Sequence, residues 1–323
     1  MNILIVGAGA VGQVYGWHLF HAGASISFFA KEKYAENLRK GLTIHKLLPI
    51  GHRTLFFKDF RVLTHYEEVA GNKWDQVWLT MSSDAMRSSF TTNLLNFIGD
   101  ATIVSIQPDL DDGDTLRRLR PNNKLVQGAV SFSAFQSPLP GEKTPKAGIA
   151  FQLFPFFRGE FSGPDEAVQS VVSMLNQGHF PAASVPNLER AMAAKSALLI
   201  CLIAGLEAEQ WKLNRYLRSN RLRYALNAAQ EVLNVVETRY DTDVSTLRIL
   251  LKPRIWKVFL TIAQRVTPYN LENYLCYHFT KVSQQTRLML NTYIKLAEQN
   301  KLEASALHYL LENLDQNSRM AYA

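Results

Sequence analysis

Residues 7–12 read Gly7-Ala8-Gly9-Ala10-Val11-Gly12, and the run directly before them is Asn2-Ile3-Leu4-Ile5-Val6. An apolar, β-branched run without polar alternation is a strand buried on both faces, as parallel strands are. Glycines spaced G-x-G-x-x-G behind such a strand each have a physical task. Gly7 turns the chain off the strand, Gly9 lets the backbone approach a pyrophosphate, and Gly12 permits close helix packing. A helix-like segment follows to His21, and a second strand, Ser25 to Ala30, comes after Ala22-Gly23. A strand, a glycine turn, a helix and a second strand form the context in which this spacing marks a dinucleotide site. The phosphates then lie at the helix N-terminus, where unpaired N–H groups and the helix dipole favour negative charge.

The end of the second strand bears on cofactor choice. An NAD-preferring site places Asp or Glu there against the ribose 2′-hydroxyl. This chain has Ala30-Lys31, and a cation suits a 2′-phosphate, so NADP is the expected cofactor. Glu32, one residue later, is the counter-signal, and a solvated loop lysine is the plain alternative.

Further along, strands and helices alternate. Asp75 to Met81, Ala101 to Gln107, Lys124 to Phe132 and Gly148 to Pro155 read as strands. Ser82, Ser83 and Asp84 cap a helix running to about Phe97, and residues 45–66 form a hairpin excursion. The loop after Gln107 is acidic, with Asp109, Asp111, Asp112 and Asp114, which is awkward beside an anionic substrate unless these residues only cap the next helix. Past Pro186 the strand signal stops. Leu188 to Trp211 is apolar nearly all round and reads as the buried centre of an all-helical domain. Residues 220–238, 244–266, 270–300 and 302–314 supply its other helices.

The expected fold class is therefore α/β: an N-terminal Rossmann dinucleotide-binding domain, residues 1–186, and a C-terminal all-α domain, residues 187–323, for substrate and dimerisation. At 323 residues, two domains are the natural division. Composition is ordinary for a globular chain, 47% hydrophobic and 20% charged. Net charge is +7 and the isoelectric point about 9.3, which suits anionic cofactors and metabolites. The cations are not interleaved with aromatics in a nucleic-acid module, and no metal-ligand spacing occurs. Cys201 and Cys276 read as reduced core thiols. A strand from residue 2 and a longest apolar stretch of only Ala197 to Leu206 point to a cytoplasmic protein without membrane attachment.

The layout resembles the ketopantoate reductase (2-dehydropantoate 2-reductase) family over essentially the whole chain. The resemblance rests on Gly7 to Gly12, Ala30-Lys31, Gly41-Leu42-Thr43-Ile44, Gly128, Pro140-Gly141 and the helix containing Lys195. It implies NADPH-dependent reduction of a small 2-keto acid, a place in pantothenate biosynthesis and a homodimer. It adds Ser82, where the family has a polar residue after its Asp-x-Val strand, and Gln107 as cofactor contacts, and Lys195 as the catalytic proton donor. From the residues alone, Lys195 early in an apolar helix either snorkels to solvent or faces a cleft.

The substrate half departs from the family. Gln107-Pro108-Asp109 stands where Gln-Asn-Gly is usual, so the asparagine amide is missing. The late helix reads Thr286-Arg287-Leu288-Met289-Leu290-Asn291 without the usual glutamate. Arg287 there is either a cation for a substrate carboxylate or a solvated helix arginine. A non-catalytic NADP(H)-binding protein and an opine-type dehydrogenase remain the alternatives.

Overall fold

The computed structural model describes residues 1–155 and 157–321, the side chains of residues 197 and 315–321 excepted. The chain divides into two compact units, Met1–Leu188 and Glu189–Ala323.

The first unit runs β1 (Asn2–Val6), α1 (Ala10–His21), β2 (Ser25–Phe29), α2 (Glu32–Arg39), β3 (Leu42–Leu47), β4 (His52–Phe57), β5 (Phe60–Leu63), α3 (Tyr66–Ala70), β6 (Gln76–Leu79), α4 (Ser83–Met86), α5 (Ser89–Leu94), β7 (Thr102–Ser105), α6 (Asp112–Leu119), β8 (Leu125–Gly128), β9 (Phe132–Ser137), β10 (Gly148–Leu153), β11 (Gly159–Ser162), α7 (Asp165–Gln177) and β12 (Ala182–Ser184). The main sheet has the order β12-β11-β8-β7-β6-β1-β2-β5. It is parallel except where β11 meets β8. The chain leaves β1 toward β2 and returns to β1's other side with β6. The strand order therefore reverses beside β1, and ligands bind at such switch points, outside the carboxyl ends of the strands.

A second sheet, β4-β3-β10-β9, stands apart from the first. The sequence reading had Lys124 to Phe132 as one strand and the whole sheet as mainly parallel. The chain instead changes sheets between Gly128 and Phe132, and β9 pairs antiparallel with β10. Helix α1 is the filling between the two sheets. Tyr15 meets Trp78 of the main sheet at 5.0 Å between ring centroids and Phe132 of the second sheet at 5.3 Å. That is why α1 has almost no polar side: Val14, Tyr15 and Leu19 are all fully buried in one core with Ile5, Phe28 and Phe151. Gly16 makes the fit possible, since a Cβ there would come within 2.7 Å of the Phe28 ring. Close packing of this helix on the main sheet thus continues at Gly16, one turn beyond the glycine the motif suggested.

His18 is buried in the same layer. Its Nδ1 donates to the Gly178 carbonyl at 2.7 Å, and Phe151 and Phe180 stand edge-on to its ring. Burial lowers its pKa from the usual value to about 4.

The helix expected from Ser82 to Phe97 is broken into α4 and α5, and the acidic loop after β7 is folded onto the first of these. Asp112, at the start of α6, accepts from the Ser83 hydroxyl at 2.7 Å and from the Asp109 backbone N–H at 2.8 Å. Arg87 donates to Asp112 and, at 2.8 Å, to Asp109. Both carboxylates are almost completely buried. Desolvation, with Asp109 adding to it, raises the Asp112 pKa to about 6 against the pull of Arg87. Asp109 and Asp112 are therefore a buried brace around Arg87, while Asp114 stays half-exposed against Arg117.

The second unit holds α8 (Leu188–Ala208), α9 (Leu213–Tyr216), α10 (Arg221–Tyr240), α11 (Ser245–Arg248), α12 (Pro253–Val266), α13 (Leu271–Lys281), α14 (Ser283–Gln299) and α15 (Ser305–Ala321). Helix α8 ends before Trp211 because Gln210 and Trp211 both take left-handed backbone, φ 53° and 62°. It is the one helix among the described residues long and apolar enough to cross a membrane, and 65% of its apolar window is buried, as in a core helix. It is not buried all round: Lys195 is exposed, and so is Leu199. Helix α10 is enclosed along one whole side, with Ala228, Ala229, Val232, Leu233, Val235 and Val236 at 0% exposure. Its Glu231 carboxylate caps α15, accepting from the N–H groups of Ala306 and Leu307 at 2.9 Å each.

These buried charges set opposite pH dependences. Unfolded, His18 takes up a proton near pH 6.5; folded, it resists until about 4, so its contribution to stability is lost as pH falls through that window. His18→Gln should keep a donor for Gly178 and flatten the loss between pH 6.5 and 5 by about 2 kcal/mol in urea unfolding. Asp112 acts the other way, because its raised pKa makes the folded state hold a proton the unfolded chain releases. Arg87→Ala leaves two buried carboxylates face to face. It should cost about 3 kcal/mol or more at pH 8, and the cost should shrink toward pH 5 as the pair gains a proton.

Candidate functional site

The carboxyl ends of β2, β1, β6 and β7 stand side by side, and the loops leaving them bring most of the sequence-predicted residues together. The turn after β1 is built by close backbone approach. Gly7 takes φ +101°, a region that favours glycine. A Cβ on Gly12 would lie 2.2 Å from the Gly7 carbonyl oxygen and 2.5 Å from the Thr80 hydroxyl, so no side chain fits there. Gly12 thus packs against the turn and also against the sheet, where a Cβ would come within 3.2 Å of the Ile5 side chain of β1.

Thr80 was not singled out by the sequence reading. Its hydroxyl donates to the Gly7 carbonyl at 2.7 Å and lies 3.1 Å from that of Val6, while its N–H donates to Val6 at 2.9 Å. It ties the end of β6 to the glycine turn. The only signal for it in the sequence was its place at the end of a buried strand.

Around Gly9 the space is open, with nothing within 4 Å of where a Cβ would stand. Gly9 is the N-cap of α1, no side chain caps the helix, and its first turn holds no acid. The N–H groups of Ala10, Val11 and Gly12 belong to the first turn, which has no intrahelical acceptor for them. The Gln13 side chain steadies the turn by donating to the Ala8 carbonyl at 2.9 Å. Open space, unpaired donors and a positive helix end are what a pyrophosphate needs. The residues from Gly7 to Gly12 therefore fit a dinucleotide.

Lys31 occupies the N-cap of α2, directly past β2, with an exposed side chain whose Nζ stands 5.9 Å from the centre of the Phe90 ring. Glu32 points its carboxylate to within 4.0 Å of His65. The cation and the acid thus both stand exposed past the end of β2.

Ser82 sits half-buried at the N-cap of α4. Gln107, expected as a cofactor contact, has its side chain spent within the protein. Its Nε2 donates to the carbonyls of Leu79 and Met81, both at 2.9 Å, and its Oε1 accepts from the Ser105 hydroxyl at 2.6 Å. Its work is to hold the loops after β6 and β7 together. Ser83, Arg87, Asp109 and Asp112 hold the same two loops through a second, more deeply buried cluster.

Lys195 belongs to the second unit, exposed on α8. Arg287 is neither a solvated arginine nor a free cation for a substrate. It donates to Glu207 of α8 at 3.1 Å, to the Ser283 carbonyl at 3.1 Å and to the Leu314 carbonyl at 3.0 Å, with 13% of its side chain exposed. Cys201 is buried, Cys276 is half-buried, and neither forms a disulfide.

Comparison with known proteins bears on the same two units. Residues 3–144 match the family described as ketopantoate reductase PanE/ApbA. No curated protein is similar to the chain in sequence. Among solved structures, a PanE/ApbA family ketopantoate reductase from Ralstonia eutropha JMP134 superposes with a TM-score of 0.75 at 16% identity, over 98% of each chain. A 2-dehydropantoate 2-reductase from Methylococcus capsulatus gives 0.72 at 16% identity, over 99% of this chain and 97% of its own. D-mandelate dehydrogenase, solved with NADH and anilino(oxo)acetate, gives 0.72 at 14% identity, over 98% of this chain and 97% of its own. At these identities the likeness is one of fold. The chain thus carries the fold of the ketopantoate reductases, and residues 3–144 match the family described as ketopantoate reductase PanE/ApbA.

Proposed function

We propose that this protein is an NADPH-dependent reductase of a small 2-keto acid. The observation that carries the reading is the open, acid-free N-terminus of α1 over Gly9, with the Lys31 cation at the end of the neighbouring strand. In this reading the first-turn N–H groups of α1 hold the pyrophosphate and Lys31 meets the 2′-phosphate. When bound, the reduced nicotinamide supplies a hydride to the carbonyl carbon of the substrate. The Lys195 ammonium gives its proton to the carbonyl oxygen as the C=O π pair moves onto it, and its charge steadies that oxygen beforehand.

The substrate is a 2-keto acid that need not be ketopantoate. Pro108 offers neither an amide side chain nor a backbone N–H, and Arg287 is committed to Glu207. The D-mandelate dehydrogenase among the structural neighbours supports a wider choice of 2-hydroxy acid on this fold.

Replacing Lys31 with Ala should weaken NADPH binding about tenfold to a hundredfold in a fluorescence titration and leave NADH binding nearly unchanged, the signature of a lost charge-assisted phosphate contact. Equal loss for both cofactors would remove Lys31 from the 2′-phosphate. Lys195→Ala should lower turnover by about a hundredfold or more in an NADPH oxidation assay across 2-keto acids, ketopantoate first, with cofactor affinity retained. Undiminished turnover would end its assignment as the proton donor.

A further inference from the structure

Helix α12 carries two ridges on its outward side. At 3.6 residues per turn, positions four apart stack. Val258, Ile262 and Val266 therefore form one row, with Phe259 beside it, and all four are exposed by 52–67%. Arg254, Lys257 and Arg265 form the adjacent row, also exposed. The inner edge of the helix is already occupied, since Trp256 and Leu260 pack against the core around Leu206, Leu213 and Tyr216. The Trp256 indole N–H donates to the Leu250 carbonyl at 2.7 Å, which pins the start of the helix. The apolar row is thus surplus to the core of its own unit.

Charge says what covers it. From Val244 to Leu271 the sequence holds Arg248, Lys252, Arg254, Lys257 and Arg265, and no acid. Arg248 is held by Glu237 at 2.7 Å, while the other four are exposed. An apolar row alongside a basic row is the pattern of a helix that lies in the plane of a lipid interface, its apolar side among the acyl chains and its cations among anionic headgroups. A second copy of this chain fits less well, because its α12 would bring the same cations to the seam and no acid on that face to meet them. A nucleic acid would meet the cations but leave the apolar row in water.

We propose that α12 docks the protein peripherally on an anionic phospholipid surface, Phe259, Ile262 and Val266 entering the interface and Arg254, Lys257 and Arg265 engaging headgroup phosphates. This is independent of the reductase reading, requires no catalytic residue, and departs from the expectation, drawn from the sequence, of no membrane attachment.

The test is co-sedimentation of the full-length protein with vesicles of phosphatidylcholine alone or mixed with phosphatidylserine, at low and high salt. The protein should pellet with the mixed vesicles, remain in solution with phosphatidylcholine, and be released by salt. The double variant Lys257→Glu with Arg265→Glu should lose more than about tenfold in vesicle binding. Phe259→Ser with Ile262→Ser should also lose binding while keeping every cation. Circular dichroism and the NADPH titration monitor that both variants remain folded. Absent binding, or equal binding to both vesicle types, would overturn the proposal. So would a dimer in light scattering that the Phe259→Ser, Ile262→Ser variant dissociates, since the face would then be a seam between copies.

Discussion

The approach of Gly12 to the carbonyl of Gly7 is the contact on which the candidate cofactor site depends. With no room for even a methyl group between them, the turn after β1 is held tight enough to aim the first N–H groups of α1 outward. Thr80 closes it from the β6 side, so the turn is clamped between its own helix and a neighbouring strand. The open space over Gly9 follows from the same geometry, because the backbone is drawn inward on either side of it.

Around that contact the loops are braced in layers. Gln107 spends its whole amide joining the ends of β6 and β7. Beside it, Ser83, Arg87, Asp109 and Asp112 tie α4 to the start of α6. A buried ion pair contributes little net stability compared with an apolar pair, yet breaking one side of it is expensive. Such a brace makes the loops resistant to rearrangement without making the unit much more stable. Its cost is visible in the raised pKa of Asp112.

Much of the site was legible from residue types. The buried strand, the glycine spacing and the lysine at the end of β2 carry their chemistry between Asn2 and Lys31, and the structure puts them at the carboxyl ends of neighbouring strands. The roles of Gln107 and Arg287 were not legible. Each is a polar side chain that could equally have faced a ligand, and each was claimed by partners distant in the chain: Met81 26 residues from Gln107, and Glu207 80 residues from Arg287. Thr80 was missed because a hydroxyl at a strand end shows its use only once the glycine turn lies beside it.

By itself the sequence determined the β1–turn–α1 unit, the alternation that makes a largely parallel sheet, and the change to helices after Pro186. These follow from local periodicity and from backbone conformations that only particular residues tolerate, so nearby residues suffice. Tertiary structure alone decided that β9 and β10 leave the main sheet to form a second one over α1, that the acidic loop turns inward onto Arg87, and that α12 keeps an apolar row facing outward. Those outcomes depend on which distant surfaces compete for the same apolar side chains and which charges end up close enough to neutralise each other. Pattern along the chain does not encode that competition, because it is settled by packing in three dimensions.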